Sequence, residues 1–281
     1  MQTGPLEHVL IESCARFQDL GLGLAVHSTV LKYGFDQDPH IQSRLINMYA
    51  EMGLLGPLKG LFLDINQTDL VTQTVACARL GDIAFARQLF DKMTDRDVIA
   101  WNAMIAGYVQ CGELLKGLEL FYMMETKGLK VNEGSMVSVL SACTRLGALD
   151  TGRWAHKYIE HKKLKMDVTL GSALVDMYAK CGDINMAMEV FWGMKEKNVY
   201  TWSAAIGGLA MHGYGDKCVE LYSRMRHEDV MPNEVTFTSV LKGCSVAGLV
   251  EEGCKLFESM INEFGMEPQL EHYGCLVEEG V

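Results

Sequence analysis

The chain has 281 residues, of which 49% are apolar and five are proline, and it carries a formal net charge of −11. That composition supports a continuous core and excludes long disorder, and no apolar run approaches the ~20 residues a membrane-spanning helix needs. The acidic balance argues against a protein that holds nucleic acid non-specifically through a general surplus of Lys and Arg, although net charge does not report any one face.

The chain opens with Met1-Gln2-Thr3-Gly4-Pro5, which has neither a signal-peptide hydrophobic region nor an Arg/Ser-rich transit segment. The expectation is that the protein stays where it is made or that its targeting segment lies outside this chain. Nine cysteines are scattered, odd in number and never spaced C-x-x-C. They read as small buried hydrophobes in a reducing compartment, which leaves the Asn66-Gln67-Thr68 sequon without a glycan.

Along the chain one pattern returns: an apolar residue, an aromatic, two residues, then Met. It appears at Leu89-Phe90 with Met93, Leu120-Phe121 with Met124 and Val190-Phe191 with Met194. It appears again at Leu221-Tyr222 with Met225 and Leu256-Phe257 with Met260. His156 fills the one vacant place in the aromatic column, and Phe62 and His27 extend it upstream. Nine residues before these positions stand Gly53, Gly81, Gly112, Gly147, Gly182, Gly213 and Gly248, with Gln18 in the first unit. Each glycine lies between two apolar segments of helical period, so each unit predicts a helix–turn–helix.

Cutting on these columns gives units 4–38, 39–69, 70–97, 98–132, 133–167, 168–198, 199–233 and 234–269, with a partial unit at 270–281. Segments 101 residues apart match: Trp101–Met124 resembles Trp202–Met225. Such a hairpin cannot bury its apolar face alone, so the expected fold is all-α, a single solenoid of stacked hairpins with an extended concave surface. The aromatic–Met stripe is its core. Unit 70–97 has lost three residues between Thr74 and Gly81, which predicts a shorter or rotated first helix.

At this point the chain resembles plant pentatricopeptide-repeat proteins of the class that alternates long, standard and short repeats. The resemblance runs from Gly4 to Val281 and rests on phrases such as "LVDMYAKCGDINMAMEVFWGMKEKNV", "SVLSACTRLGALDTGRWAHKYI" and "FTSVLKGCSVAGLVEEGCKLFESM". It implies a right-handed superhelix that binds single-stranded RNA at one nucleotide per repeat, 5′ to 3′ as the protein runs N to C. It implies base choice by the fifth and last residues of each repeat. Here these are Ser43 with Asp69 and Thr74 with Asp97 for G, Asn102 with Asn132 for a pyrimidine, and Ser172 with Asn198 and Ser203 with Asn233 for A. Hydroxyl, carboxamide and carboxylate groups supply the donors and acceptors such readout requires.

The long units offer His8/Asp38, Val137/Asp167 and Thr238/Gln269, of which Val137 cannot hydrogen-bond a base. The implied ligand is 5′-N-G-(G)-Y-N-A-A-N-3′, the bracketed G belonging to the shortened unit. The second residue of each non-long repeat, His40, Val71, Ile99, Thr169 and Tyr200, would pack on the base. Arg16, Arg79, Arg145 and Lys180 share a column that could meet phosphates or serve as helix-end cations.

By the same resemblance the protein is a specificity factor in mitochondrial or chloroplast RNA editing or processing. It has no cofactor and no chemistry of its own, and any deaminase or other editing factor would act in trans. The family's usual C-terminal extension is expected to be missing: the chain ends inside a short-type unit, and the H-x-E and P-C-x-x-C pairs of a zinc deaminase do not occur. The alternatives are a tetratricopeptide-like protein adaptor, which should show 34-residue units without the polar pairs, and an inactive truncated product. Other constellations carry little. His156 and His161 are five apart rather than four, no strand precedes Gly21-Leu22-Gly23, and Ser13, Cys14, Asp19 and His27 form no triad. Glu251-Glu252 reads as a solvated helix face.

Overall fold

Asp or Asn, then a helix of about thirteen residues, then glycine, then a second helix: this local grammar recurs throughout the protein. The computed structural model describes residues 11, 13, 19–35, 38–54, 56–57 and 70–278. Among them fifteen helices can be bounded and no strand occurs. They are α1 (Leu20–Lys32), α2 (Pro39–Glu51), α3 (Leu70–Arg79), α4 (Ile83–Lys92), α5 (Val98–Gln110), α6 (Leu114–Thr126), α7 (Glu133–Leu146) and α8 (Leu149–His161). There follow α9 (Val168–Lys180), α10 (Ile184–Gly193), α11 (Val199–Met211), α12 (Gly215–His227), α13 (Glu234–Ala247), α14 (Val250–Asn262) and α15 (Leu270–Glu278).

The chain divides into two compact units, Met1–Val131 and Asn132–Val281. In the second, the first helices α7, α9, α11, α13 and α15 pack side by side, and each of α8, α10, α12 and α14 packs on its own first helix and on the next. The first unit repeats the scheme with first helices α2, α3 and α5 and second helices α1, α4 and α6. Each unit is an α-solenoid, in which neighbouring hairpins cover one another's apolar faces.

The glycine column makes the turns. All seven expected glycines have positive φ, from 66° at Gly147 to 100° at Gly182. At Gly147 and Gly248 the glycine is itself the C-cap, and its N–H closes onto carbonyls of the preceding turn. A second left-handed turn follows several second helices. Gly128 and Gly265 occupy it in two hairpins, while Lys163 (φ 51°) and Asp229 (φ 56°) occupy it in two others. A side chain there is strained against the backbone.

The stripe of aromatic and Met residues is the core. Phe90, Phe121, Phe191 and Tyr222 are buried, as are Met93, Met124, Met194, Met225 and Met260. Phe257 is half-buried, and Phe62 lies outside the described residues. Trp101 meets Phe90 edge-on with centroids 5.0 Å apart, and Trp202 meets Phe191 at 4.9 Å. These pairs are one 101-residue period apart, which explains physically why the two segments resemble each other. The histidines of the column pair with tyrosines of the next first helix. His27 Nδ1 lies 2.8 Å from Tyr49 Oη, and His156 Nδ1 lies 3.0 Å from Tyr178 Oη. Burial pushes the His156 pKa below its ordinary value, which keeps the ring neutral. Burial also raises the Cys143 and Cys218 thiols to about 11 and about 12, consistent with packing rather than reactive roles.

Adjacent first helices approach closely because small residues face each other. A Cβ on Gly107 would lie 2.9 Å from the Ala78 Cβ, and one on Gly208 would lie 2.7 Å from the Ala179 Cβ. Gly208→Ala is expected to destabilise the protein by about 1–3 kcal/mol through overpacking, measured by chemical denaturation. Asp229→Gly is expected to do the opposite. Relief of the left-handed strain, partly offset by added freedom of the unfolded chain, should raise the melting midpoint by the equivalent of about 0.5–1 kcal/mol.

Candidate nucleic-acid interface

Helix starts and the expected base-facing residues coincide. Asp38, Asp97, Asn132, Asp167, Asn198 and Asn233 are each the N-cap of the following first helix, and each side chain accepts a hydrogen bond from a backbone N–H of the first turn. Short side chains with an accepting oxygen suit this position because the first-turn donors have no partner within the helix. Asn132, Asn198 and Asn233 form full capping boxes with Ser135, Thr201 and Thr236.

The capping boxes also reach the preceding hairpin. Ser172 Oγ lies 2.6 Å from Thr201 Oγ1, and Thr201 Oγ1 lies 3.0 Å from Asn198 Oδ1. Ser203 Oγ lies 2.7 Å from Thr236 Oγ1, which lies 2.9 Å from Asn233 Oδ1. The fifth and last residues of these two hairpins are therefore joined through one buried threonine. A histidine replaces the threonine in the 234–269 hairpin. Thr238 Oγ1 is 3.0 Å from His272 Nε2, and the Gln269 N–H donates to His272 Nδ1 at 3.0 Å. Because Nδ1 accepts there, Nε2 is the ring nitrogen turned toward Thr238 as a donor.

A cleft of about 480 Å³ opens along α9, α11 and α13. Ser172, Ser203, Thr238, Tyr200, Lys180 and Lys242 line it, and Ala204 and Gly207 are among its small residues. Tyr200 is 68% exposed, although large aromatics normally bury. The Lys180 ammonium sits 2.8 Å from the Asp176 carboxylate one turn earlier on α9.

The remaining expected positions are less uniform. His40 and Thr169 are exposed, Ile99 is largely exposed and Val71 is half-buried. Arg79 and Arg145 are exposed in the last turns of α3 and α7, where their charge complements the helix dipole. Ser43 and Asn102 are half-buried on α2 and α5, and Val137 is half-buried on α7. Asn102 and Asn132 belong to different compact units. Asp69, Arg16 and His8 lie outside the described residues. Thr74 departs from expectation: it is fully buried and its hydroxyl has no hydrogen-bond partner, so it has no surface to offer a base. The described α3 spans ten residues against thirteen for α2 and α5, in line with the missing turn.

Sequence reading missed Thr201, Thr236, His272 and Lys242. The first two were detectable, because Asn-x-x-Ser/Thr before an apolar run signals a capping box. Their contact with Ser172 and Ser203 was not. No group of three or more His, Cys, Asp or Glu suited to a metal ion occurs among the described residues, and no helix there is long and apolar enough to cross a membrane.

Stacked hairpins with a polar row on successive first helices define a short-repeat α-solenoid. The PPR repeat family model matches residues 96–145 and 197–246, and the PPR repeat model matches 75–98, 172–199 and 235–263. The chain belongs to the pentatricopeptide-repeat family. A pentatricopeptide repeat-containing protein of Arabidopsis thaliana is 57% identical over 272 residues, covering 96% of this chain and 44% of the relative. Another from Arabidopsis thaliana, described as chloroplastic/mitochondrial, is 34% identical over 285 residues, covering 99% of this chain and 40% of its own length. The chain thus spans less than half the length of these relatives. Among solved structures, the pentatricopeptide repeat protein PPR10 in complex with an 18-nt psaJ RNA element matches with a TM-score of 0.75 at 17% identity, over 92% of this chain and 40% of that one. The two share a fold.

Asn198→Ala is expected to cost about 1 kcal/mol through the lost cap. Asn198→Asp, which keeps an accepting oxygen, should leave the unfolding midpoint nearly unchanged in the same denaturation experiment.

Proposed function

We propose that this chain binds single-stranded RNA base-selectively, one nucleotide per hairpin, and serves as a specificity factor in organellar RNA editing or processing. The observation that carries this reading is the cleft along α9, α11 and α13, where polar side chains of three consecutive hairpins, one exposed aromatic and two lysines share one wall. Successive first helices repeat the hydroxyl of Ser172, Ser203 and Thr238 at the step of one hairpin, which suits a ligand that is itself a linear repeat. Tyr200 offers a face for stacking, a base-tolerant contact worth about 1–3 kcal/mol.

Ser172 with Asn198 and Ser203 with Asn233 are assigned to two consecutive adenines. Ser43 with Asp69 is assigned to a G, and Asn102 to a pyrimidine. The unit carrying Thr74 is left without base choice, and Asp97 is assigned to capping alone. His40, Val71, Ile99 and Thr169 would flank bases as Tyr200 does. Arg16, Arg79, Arg145 and Lys180 would meet phosphates, Lys180 by exchanging its Asp176 partner. The RNA-bound state of PPR10 and the chloroplastic or mitochondrial assignment of some relatives support the reading. The chain would supply recognition while a separate deaminase or other editing factor supplies chemistry. An acidic protein with a few cations at the ligand should bind with low non-specific background.

Selection from a random RNA pool with the purified 281-residue chain is expected to enrich G-x-Y-x-A-A in that phase. Asn198→Asp exchanges an outward donor for an acceptor and should move one position from A toward G. A consensus identical in wild type and variant contradicts the assignment.

A further inference from the structure

We propose that Thr236, and to a lesser degree Thr201, set base preference without touching the base, by fixing which atoms the neighbouring serine and asparagine turn outward. This rests on the RNA-binding reading above and specifies how its selectivity arises.

The argument is an inventory of protons. Asn233 Oδ1 receives the Thr236 backbone N–H at 3.0 Å and lies 2.9 Å from Thr236 Oγ1. A carboxamide oxygen only accepts, so the single Thr236 hydroxyl proton goes to it. Thr236 Oγ1 then accepts on both lone pairs. One takes the Asn233 backbone N–H at 3.1 Å, and the other faces Ser203 Oγ at 2.7 Å. With the threonine proton already committed, that short contact requires Ser203 to donate. Thr236 has no exposed surface, so the exchange is sealed from water and from ligand.

Two consequences follow. Asn233 has its oxygen saturated and can present only its N–H groups. Ser203, which reaches the cleft wall with 4% of its surface exposed, has spent its proton and presents only lone pairs. The pair therefore shows one donor and one acceptor of fixed sense. Adenine and guanine have the same outline but opposite polarity at N1 and at the 6-substituent. A purine laid with N1 toward the carboxamide and its 6-substituent toward the serine satisfies both contacts as adenine and opposes both as guanine. Fixed polarity is thus what separates two bases of equal shape.

The neighbouring hairpin has the same parts with one difference. Ser172 Oγ faces Thr201 Oγ1 at 2.6 Å and also the Val168 carbonyl at 2.7 Å. Its proton is held inside even without the threonine hydroxyl. Ser203 has no such carbonyl partner, so its polarity depends on Thr236 alone.

The test uses four single-stranded RNAs carrying the enriched consensus and differing only in the nucleotide opposite the 199–233 hairpin. Their affinities for the 281-residue chain are read by fluorescence anisotropy. Thr236→Val, or Thr236→Ala should the valine variant not fold, is expected to lower the A-over-G affinity ratio about tenfold, the worth of one hydrogen bond. Thr236→Ser should restore the ratio, and the preference at the adjacent nucleotide should not move. Thr201→Val should relax its own position by less. A wild-type ratio in a folded Thr236→Val or Thr236→Ala variant overturns the proposal, as does a loss at Thr201 equal to that at Thr236. If wild type binds all four RNAs equally, the RNA reading itself fails before any variant is made, and this inference falls with it.

Discussion

The structure depends on how closely one first helix can lie against the next. A hairpin of two helices leaves one apolar face uncovered, and only another hairpin of the same kind can cover it. Ala78 against Gly107 and Ala179 against Gly208 leave no room for a methyl group. Behind them a tryptophan of one hairpin meets a phenylalanine of the preceding one edge-on. These contacts set the step between hairpins, and with it the step between the polar residues that hairpins carry on their other side.

Folding and the proposed recognition draw on the same side chains. The asparagine that begins a first helix satisfies orphan N–H groups of that helix, and under the RNA-binding proposal it is also a base-reading residue. The buried threonines extend this economy across hairpins. Thr201 and Thr236 complete capping boxes in their own helices and orient serines on the helix before. A hydroxyl with one proton and two lone pairs is the smallest group able to serve three partners at once.

Charge follows a similar local logic. The whole chain is acidic, yet Lys180 and Lys242 stand on the cleft wall, with Asp176 paired to the first. An exposed pair of this kind contributes only about 0.3–0.5 kcal/mol, so an anionic ligand can compete for the lysine at small cost. An acidic surface of this kind disfavours adventitious polyanion binding.

The sequence alone established much of this. Glycine spacing located the turns because only glycine sits comfortably at positive φ, and the aromatic–Met column located the core because burial demands bulk at a constant register. The Asp and Asn residues that end seven of the eight full units were visible as a column, although their capping role was not recognised. Tertiary structure decided what no local pattern carries. Thr74 looks like Ser172 in register, but it is completely buried while Ser172 stays half-buried at the cleft. The bond from Ser203 to Thr236 joins residues 33 positions apart. It exists only because two helices are held near enough for their hydroxyls to meet, and that proximity is a property of the stack and not of either helix.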